Sequence, residues 1–156
     1  MAPRVPSQQE FLEYDGAHCF RLWAELPTNW CCPACLRTKF EIMRWTTRYF
    51  RRDVGKCPGY KDWMAGLHTH HDHSQDSMFG RSGRFPATII CDQCNSADGV
   101  AKKHLRLPDR FSFSPAEIAM FITSTPHARH KVDLEKAQHI YSLERTRGFR
   151  TVAASS

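Results

Sequence analysis

A chain of 156 residues with 41% hydrophobic and 24% charged side chains, 9 prolines and 8 glycines can build one packed domain, which excludes a disordered tail or a fibrous repeat. Lys and Arg exceed Asp and Glu by 22 − 16 = +6, a balance compatible with a polyanionic partner that names none without a motif beside it. Seven cysteines, an odd count, argue against a fully paired disulfide scaffold, and no apolar run approaches the roughly 18 residues that span a bilayer. The opening MAPRVPSQQE lacks an apolar signal core, so a reducing, cytoplasmic setting without a membrane is expected.

In chain order, residues 7 to 26 predict one helix: Ser7 caps it, Glu10 completes a capping box, Phe11, Leu12, Cys19, Leu22, Trp23 and Leu26 supply apolar positions, and Pro27 ends it. Cys32 to Cys35 predicts a turn. The aromatic run from Phe40 to Phe50 is β-prone, with a short helix as the competing reading, and Pro58-Gly59 breaks it. Residues 60 to 66 predict a helical turn, LHTHHDHSQ a strand, FGRSGRFPAT a loop and Thr88 to Ile90 a second strand. After Cys91 and Cys94 the run NSADGVAKKHL predicts a helix with Gly99 in its middle. Two further helices follow, one opened by Ser114-Pro115 with Glu117 and one from about Asp133 to Thr146. The expected fold is a single α+β domain: an N-terminal helix in residues 1–29, a core in 30–104 and a helical part in 105–156.

Two C-x-x-C pairs, Cys32/Cys35 and Cys91/Cys94, have the spacing of a four-cysteine zinc site. Each turn can bring two sulfurs to one ion, and four thiolates leave no open coordination position, so such a zinc is structural. Redox pairs or small buried cysteines are the bland alternatives. Cys31 could replace Cys32, although Pro33 and the spacing favour Cys32. Cys19 and Cys57 have no partner at ligand spacing and read as core or surface thiols.

His68, His70, His71, Asp72 and His73 fall within six residues. On a strand, His71 and His73 share one face while His70 and Asp72 share the other. A polar exposed strand or an adventitious metal-binding tract would look the same. The order CPAC, HHDH, CDQCN, however, resembles the HNH nucleases, also called ββα-metal or His-Me finger nucleases, and within them the phage recombination endonuclease VII type. The likeness covers about residues 30 to 104. It implies a zinc-stapled ββα core in which the zinc pins the hairpin to the helix. It also implies that His70 and Asn95 ligate a catalytic Mg²⁺ or Mn²⁺, that His71 is the general base, and that Asp72 and His73 form the second half of the tetrad. His70 stands where the family carries Asp, a change that imidazole tolerates as a metal ligand. A second register takes Asp72 as ligand and His73 as base.

These residue types suit phosphodiester hydrolysis. Imidazole, with an ordinary pKa near 6.5, can take a proton from water at neutral pH, and a divalent cation polarises the phosphate and stabilises the departing oxygen. Between Leu36 and Lys61 eight basic residues stand against two acidic ones, which gives 8 − 2 = +6. Arg37, Lys39, Arg44, Arg48, Arg51 and Arg52, interleaved with Trp45, Tyr49 and Phe50, therefore read as a DNA surface, joined by Arg81, Arg84, Lys102 and Lys103. A solvated strand with aromatics facing inward is the alternative. The expected function is a metal-dependent endonuclease acting on double-stranded DNA, of restriction or homing type, with a junction-resolving or nonspecific defence nuclease as alternatives. A homodimer would supply two active sites, with Ile118, Phe121, Ile122, Ile140, Tyr141 and Leu143 forming either its interface or the core. Outside enzymes, the rivals are a non-catalytic zinc-dependent nucleic-acid-binding module and a structural zinc protein that joins other proteins.

Overall fold

Three Ser/Thr-x-x-Glu sequences set three helix starts, and each closes in both directions. Ser7 Oγ accepts from the Glu10 amide at 3.1 Å while the Glu10 carboxylate accepts from the Ser7 amide at 2.8 Å, and Thr38/Glu41 and Ser114/Glu117 repeat the arrangement. The computed structural model describes residues 1–49, 58–73 and 83–153, with side chains as far as Arg147. Its elements are α1 (Gln8–Glu13), a 3₁₀ turn (Ala17–Cys19), α2 (Phe20–Glu25), α3 (Lys39–Ile42), β1 (Arg44–Arg48), β2 (Tyr60–Met64), β3 (Leu67–His70), β4 (Thr88–Cys91), α4 (Asp92–Leu105), α5 (Pro115–Phe121), β5 (Ile122–Thr123), β6 (Lys131–Val132) and α6 (Leu134–Ala153). The class is α+β, and the described residues form three two-stranded antiparallel sheets. No helix among the described residues is long and apolar enough to cross a membrane.

The single helix expected over residues 7 to 26 is broken. α1 ends at Glu13, Tyr14 turns extended, and Gly16 takes φ 89°. Non-local contacts outweigh helix continuity here. The Tyr14 hydroxyl accepts from the Ala65 amide at 3.0 Å, its ring meets Trp23 edge-on at 4.9 Å, and burial pushes its pKa up to about 12. Leu12 stands 73% exposed, outside the core expected for it.

Residues 60 to 66 also depart from expectation, forming a strand where a helical turn is predicted. β1 and β2 pair from Arg44↔Met64 to Arg48↔Tyr60, and Trp45 packs on its cross-strand partner Trp63 at 5.1 Å between ring centroids. Such pairs, worth roughly 0.2–1 kcal/mol each, override a weak local preference. Both readings of Phe40 to Phe50 are realised in sequence, with the Thr38 capping box starting α3 before β1 begins.

β3 and β4 pair from Leu67↔Cys91 to His70↔Thr88, and α4 begins at the next residue. A hairpin thus runs straight into a helix. α4 packs on both strands, on α5 and on α6. The core includes Ile42, Met43, Leu67, Ile90, Phe113, Ile118, Phe121 and Ile140. The C-terminal helices complete that core: Ile118, Phe121 and Ile140 are buried and Ile122 and Tyr141 half-buried, which leaves Leu143 as the outward member of the interface set.

Gly16 tests the break between α1 and α2. A Cβ there would be strained by the positive φ and would meet Trp23. Gly16→Ala is expected to lower stability by about 1–3 kcal/mol in urea unfolding; a neutral or stabilising change would refute this account of the break.

Candidate functional site

The turn at Cys32–Cys35 and the β4–α4 junction bring four sulfurs together. Cys32 to Cys94 is 3.7 Å, Cys35 to Cys91 3.8 Å and Cys91 to Cys94 3.5 Å, and all four lie within 4.8 Å of one another. A tetrahedral metal with metal–sulfur bonds of about 2.3 Å separates its ligands by about 3.8 Å. The set could therefore hold a metal such as zinc. Cys32, Cys91 and Cys94 are buried and Cys35 half-buried, while Cys31 is exposed beside the Asn29 carbonyl and outside the cluster.

Local backbone explains how the first pair converges. Leu36 takes φ 60°, its amide donates to the Cys32 carbonyl at 2.8 Å, and the Cys32 amide donates to the Arg37 carbonyl at 2.9 Å. The Cys91 amide approaches Cys32 Sγ at 3.4 Å. Without a cation, four sulfurs this close cannot all ionise. At Cys32 the Cys35 contact pushes the thiol up, but hydrogen bonds with Cys91 and Cys94 outweigh it and its pKa falls to about 7. Hydrogen bonds with Cys32 and Cys35 push Cys91 and Cys94 upward. A divalent metal removes that competition by replacing the shared protons.

Arg37, expected at DNA, is buried against this cluster. Its Nε reaches Cys35 Sγ at 3.4 Å, one terminal nitrogen reaches Cys91 Sγ at 3.6 Å, and the other donates to the Thr125 and Ala128 carbonyls at 3.1 and 3.0 Å. Burial alone would lower its pKa; the sulfurs more than offset that and hold it above the usual value. His130 Nε2 lies 3.2 Å from Cys94 Sγ and 3.3 Å from Arg37. Sequence reasoning missed His130, which has no ligand spacing to either cysteine pair.

The strand expected over LHTHHDHSQ ends at His70, and burial nevertheless alternates through residues 70 to 73. His70 and Asp72 are buried, at 4% and 0% exposure, whereas His71 and His73 are half-buried with ring centroids 4.7 Å apart. His70 Nε2 lies 2.7 Å from the Phe113 carbonyl. A carbonyl only accepts, so this nitrogen carries the proton, and in the neutral ring Nδ1 keeps its lone pair. Phe85 stacks on the ring at 5.3 Å. Asp72 Oδ2 accepts from the Arg84 amide at 2.8 Å, which ties the two described ends of the connection between β3 and β4.

Asn95 sits half-buried in the first turns of α4, three residues before Asp98 and therefore on the same helix face. Asp98 is a second residue that sequence reading passed over. It is buried, accepts from the Phe113 amide at 2.8 Å and lies 3.6 Å from Lys102 Nζ. Burial raises its pKa, opposed by the Phe113 hydrogen bond and by the charges of Lys102 and His70. The Phe113 peptide thus grips His70 from β3 and Asp98 from α4. The i, i+3 spacing from Asn95 was the one available signal for Asp98.

Among the described residues of the expected DNA surface, several face inward. Lys39 Nζ donates to the Trp23 and Leu26 carbonyls at 2.7 and 3.2 Å, closing the end of α2 under the Trp23 ring, and burial lowers its pKa. Arg44 is 9% exposed beside Asp92. Arg84 donates to the Ser112 carbonyl and pairs with Glu117 and Glu144 at 2.6 and 3.2 Å. For Arg37, Lys39 and Arg84 the expected phosphate contact is thus corrected, because carbonyls, carboxylates or sulfurs already surround each cation, while Arg44 is buried with Asp92 at 3.8 Å. Arg48 pairs with Asp62 at 3.0 Å at a half-exposed position, and Lys102 lies against Asp98 and Ser112. Lys103 faces outward beside Arg106, at a hollow of about 400 Å³ near the end of α4. Arg51, Arg52, Arg81, Phe50 and Cys57 lie outside the described residues.

Compared with protein-family models, curated proteins and solved structures, the chain gives no match in any of the three.

The cluster separates Cys31 from Cys32. Cys32→Ser is expected to abolish stoichiometric metal content, measured by plasma mass spectrometry, and to cost at least about 3 kcal/mol of stability. Cys31→Ser should change neither; equal effects of the two variants would refute this ligand set.

Proposed function

We propose that the protein is a metal-dependent DNA endonuclease of the HNH, or ββα-metal, kind, stapled by a structural zinc at Cys32, Cys35, Cys91 and Cys94. The observation that carries the proposal is the order of hairpin and helix among the described residues. β3 ends in the histidine segment, β4 ends at Cys91, and α4 carries Cys94 with Asn95 one residue later. The motif order of the sequence therefore coincides with a β-β-α succession that the thiol cluster clamps at its junction.

In this reading His70 Nδ1 and the Asn95 side chain hold one Mg²⁺ or Mn²⁺, which when bound supplies Lewis-acid stabilisation of the scissile phosphate. The Phe113 carbonyl fixes the His70 tautomer and leaves Nδ1 for that task. His71, half-buried beside His73, takes the proton from the attacking water. The structure favours this register over Asp72 with His73, because Asp72 is fully buried and committed to the Arg84 amide. Lys103 and Arg106, outward at the end of α4, serve as phosphate contacts in place of the inward arginines. A double-strand cut by a chain with one such site requires two copies.

A second reading, a zinc-dependent nucleic-acid-binding module without catalysis, draws support from the burial of His70 and Asp72. Supercoiled plasmid separates the two. The nuclease reading expects nicking with Mg²⁺ or Mn²⁺ that EDTA stops, and a loss of at least ~10²-fold in His71→Ala with zinc content intact. Binding without any metal-dependent cutting would select the module. Sequenced ends then decide specificity: unique ends indicate a restriction or homing enzyme, scattered ends a junction-guided or defence nuclease.

A further inference from the structure

Arg37 stands two residues beyond Cys35 and is 3% exposed, a depth at which arginine is rare unless its charge is met. A guanidinium carries five N–H groups in a planar fork, and in Arg37 each of the five has a partner. Nε donates to Cys35 Sγ at 3.4 Å, and one terminal nitrogen donates to the Thr125 and Ala128 carbonyls at 3.1 and 3.0 Å. The other terminal nitrogen donates to Cys91 Sγ at 3.6 Å and, because a guanidinium never accepts, to His130 Nε2 at 3.3 Å. The fork is thus held at its back by two carbonyls and aimed at one sulfur from each C-x-x-C pair.

Those carbonyls are themselves fixed. They belong to the connection between β5 and β6, where the His127 amide donates to the Glu41 carbonyl at 2.8 Å and His127 Nδ1 lies 2.9 Å from the Met43 carbonyl. Pinning this connection needs no charge, since a neutral donor meets a carbonyl equally well. The sulfurs are where the charge matters. A dication held by four thiolates keeps two net negative charges, and a thiolate is the nucleophilic form of cysteine. Cys35 is the one of the four that the fold leaves half-buried, so it is the first that an electrophile from solvent meets. A charged N–H donor draws on the sulfur lone pairs about twice as strongly as a neutral one, which leaves them less able to attack.

We propose that Arg37 keeps the thiolate centre chemically inert: its guanidinium, donating to Cys35 and Cys91, suppresses attack by those sulfurs on electrophiles and so retains the metal. The centre is thereby a locked staple and not a thiol switch that releases its ion on modification. This rests on the metal reading of the four cysteines and is independent of the nuclease reading.

Excess iodoacetamide on the zinc-loaded full chain tests the proposal, with zinc release followed by a chromophoric chelator and the alkylated cysteines found by peptide mapping. Each event forms an S–C bond, expels iodide and leaves a neutral thioether in place of a thiolate ligand. Arg37→Gln is expected to release zinc at least ~10-fold faster than the parent, with Cys35 or Cys91 alkylated first. Arg37→Lys keeps the charge without the fork and should fall between the two. His127→Ala loosens the same connection while leaving Arg37 in place, and should release zinc at the parent's rate. Release from Arg37→Gln at the parent's rate, or equal acceleration in His127→Ala, would overturn the proposal. Should Arg37→Gln hold no zinc, Arg37→Lys decides: faster release than the parent supports the proposal, whereas the parent's rate, or loss of zinc here too, makes Arg37 a folding determinant and overturns it. A parent that binds no zinc is recognised before any rate is measured; it removes the metal reading, and this proposal with it.

Discussion

The convergence of four sulfurs is the constraint on which the remainder depends. Cys32 and Cys35 lie in a short turn after the N-terminal helices, while Cys91 ends β4 and Cys94 lies in the first turn of α4. Joining them fixes where α4 starts, and α4 in turn receives both strands of its hairpin, α5 and α6. The energetic logic is electrostatic. Four sulfurs at this separation repel as thiolates and compete for protons as thiols, so a bound dication stabilises the whole arrangement at once. Arg37 extends the same logic outward, because its guanidinium touches two of the sulfurs and two carbonyls of the segment between β5 and β6.

That use of Arg37 illustrates how the positive charge is distributed. The net +6 of the chain suggests an outward basic face, and the stretch from Leu36 to Lys61 carries a surplus of the same size. Three of its cations instead serve the interior: Arg37 at the sulfurs, Lys39 at the open carbonyls of α2, and Arg44 beside Asp92. A cation at a helix C-terminus or among thiolates is stabilised by the local field, which offsets its desolvation. Net charge therefore overstated the outward basic surface in this segment.

What the sequence made legible was local. Capping boxes at Ser7 and Ser114 need only three residues to be recognised, and both are formed. The paired C-x-x-C turns and the succession from hairpin to helix were readable for the same reason, since spacing and order lie along the chain. Features that need a distant partner were not. β2 is a strand because Trp63 meets Trp45 across the ladder, and the first helix breaks because Tyr14 answers the Ala65 amide. The two-residue pairing of β5 with β6 has no sequence signature of its own. At the candidate site, Cys32, Cys35, Cys91 and Cys94 were legible from spacing, while Asp98 and His130 find their partners Phe113 and Cys94 through contacts between residues that no spacing rule connects.

Cys19, without a partner at ligand spacing, has a place in this scheme. Its sulfur meets both the amide and the carbonyl of Leu67 at 3.4 Å, on the side of β3 that β4 leaves open, and the Tyr14 hydroxyl meets Ala65 just upstream. A two-stranded sheet has two unpaired margins, each able to template a strand from another molecule. The segment between α1 and α2 occupies one of them at its start. By breaking its own helix, the N-terminal segment acts as a selvedge at the Leu67 end of β3, occupying backbone groups that a strand from a neighbouring chain would otherwise pair with.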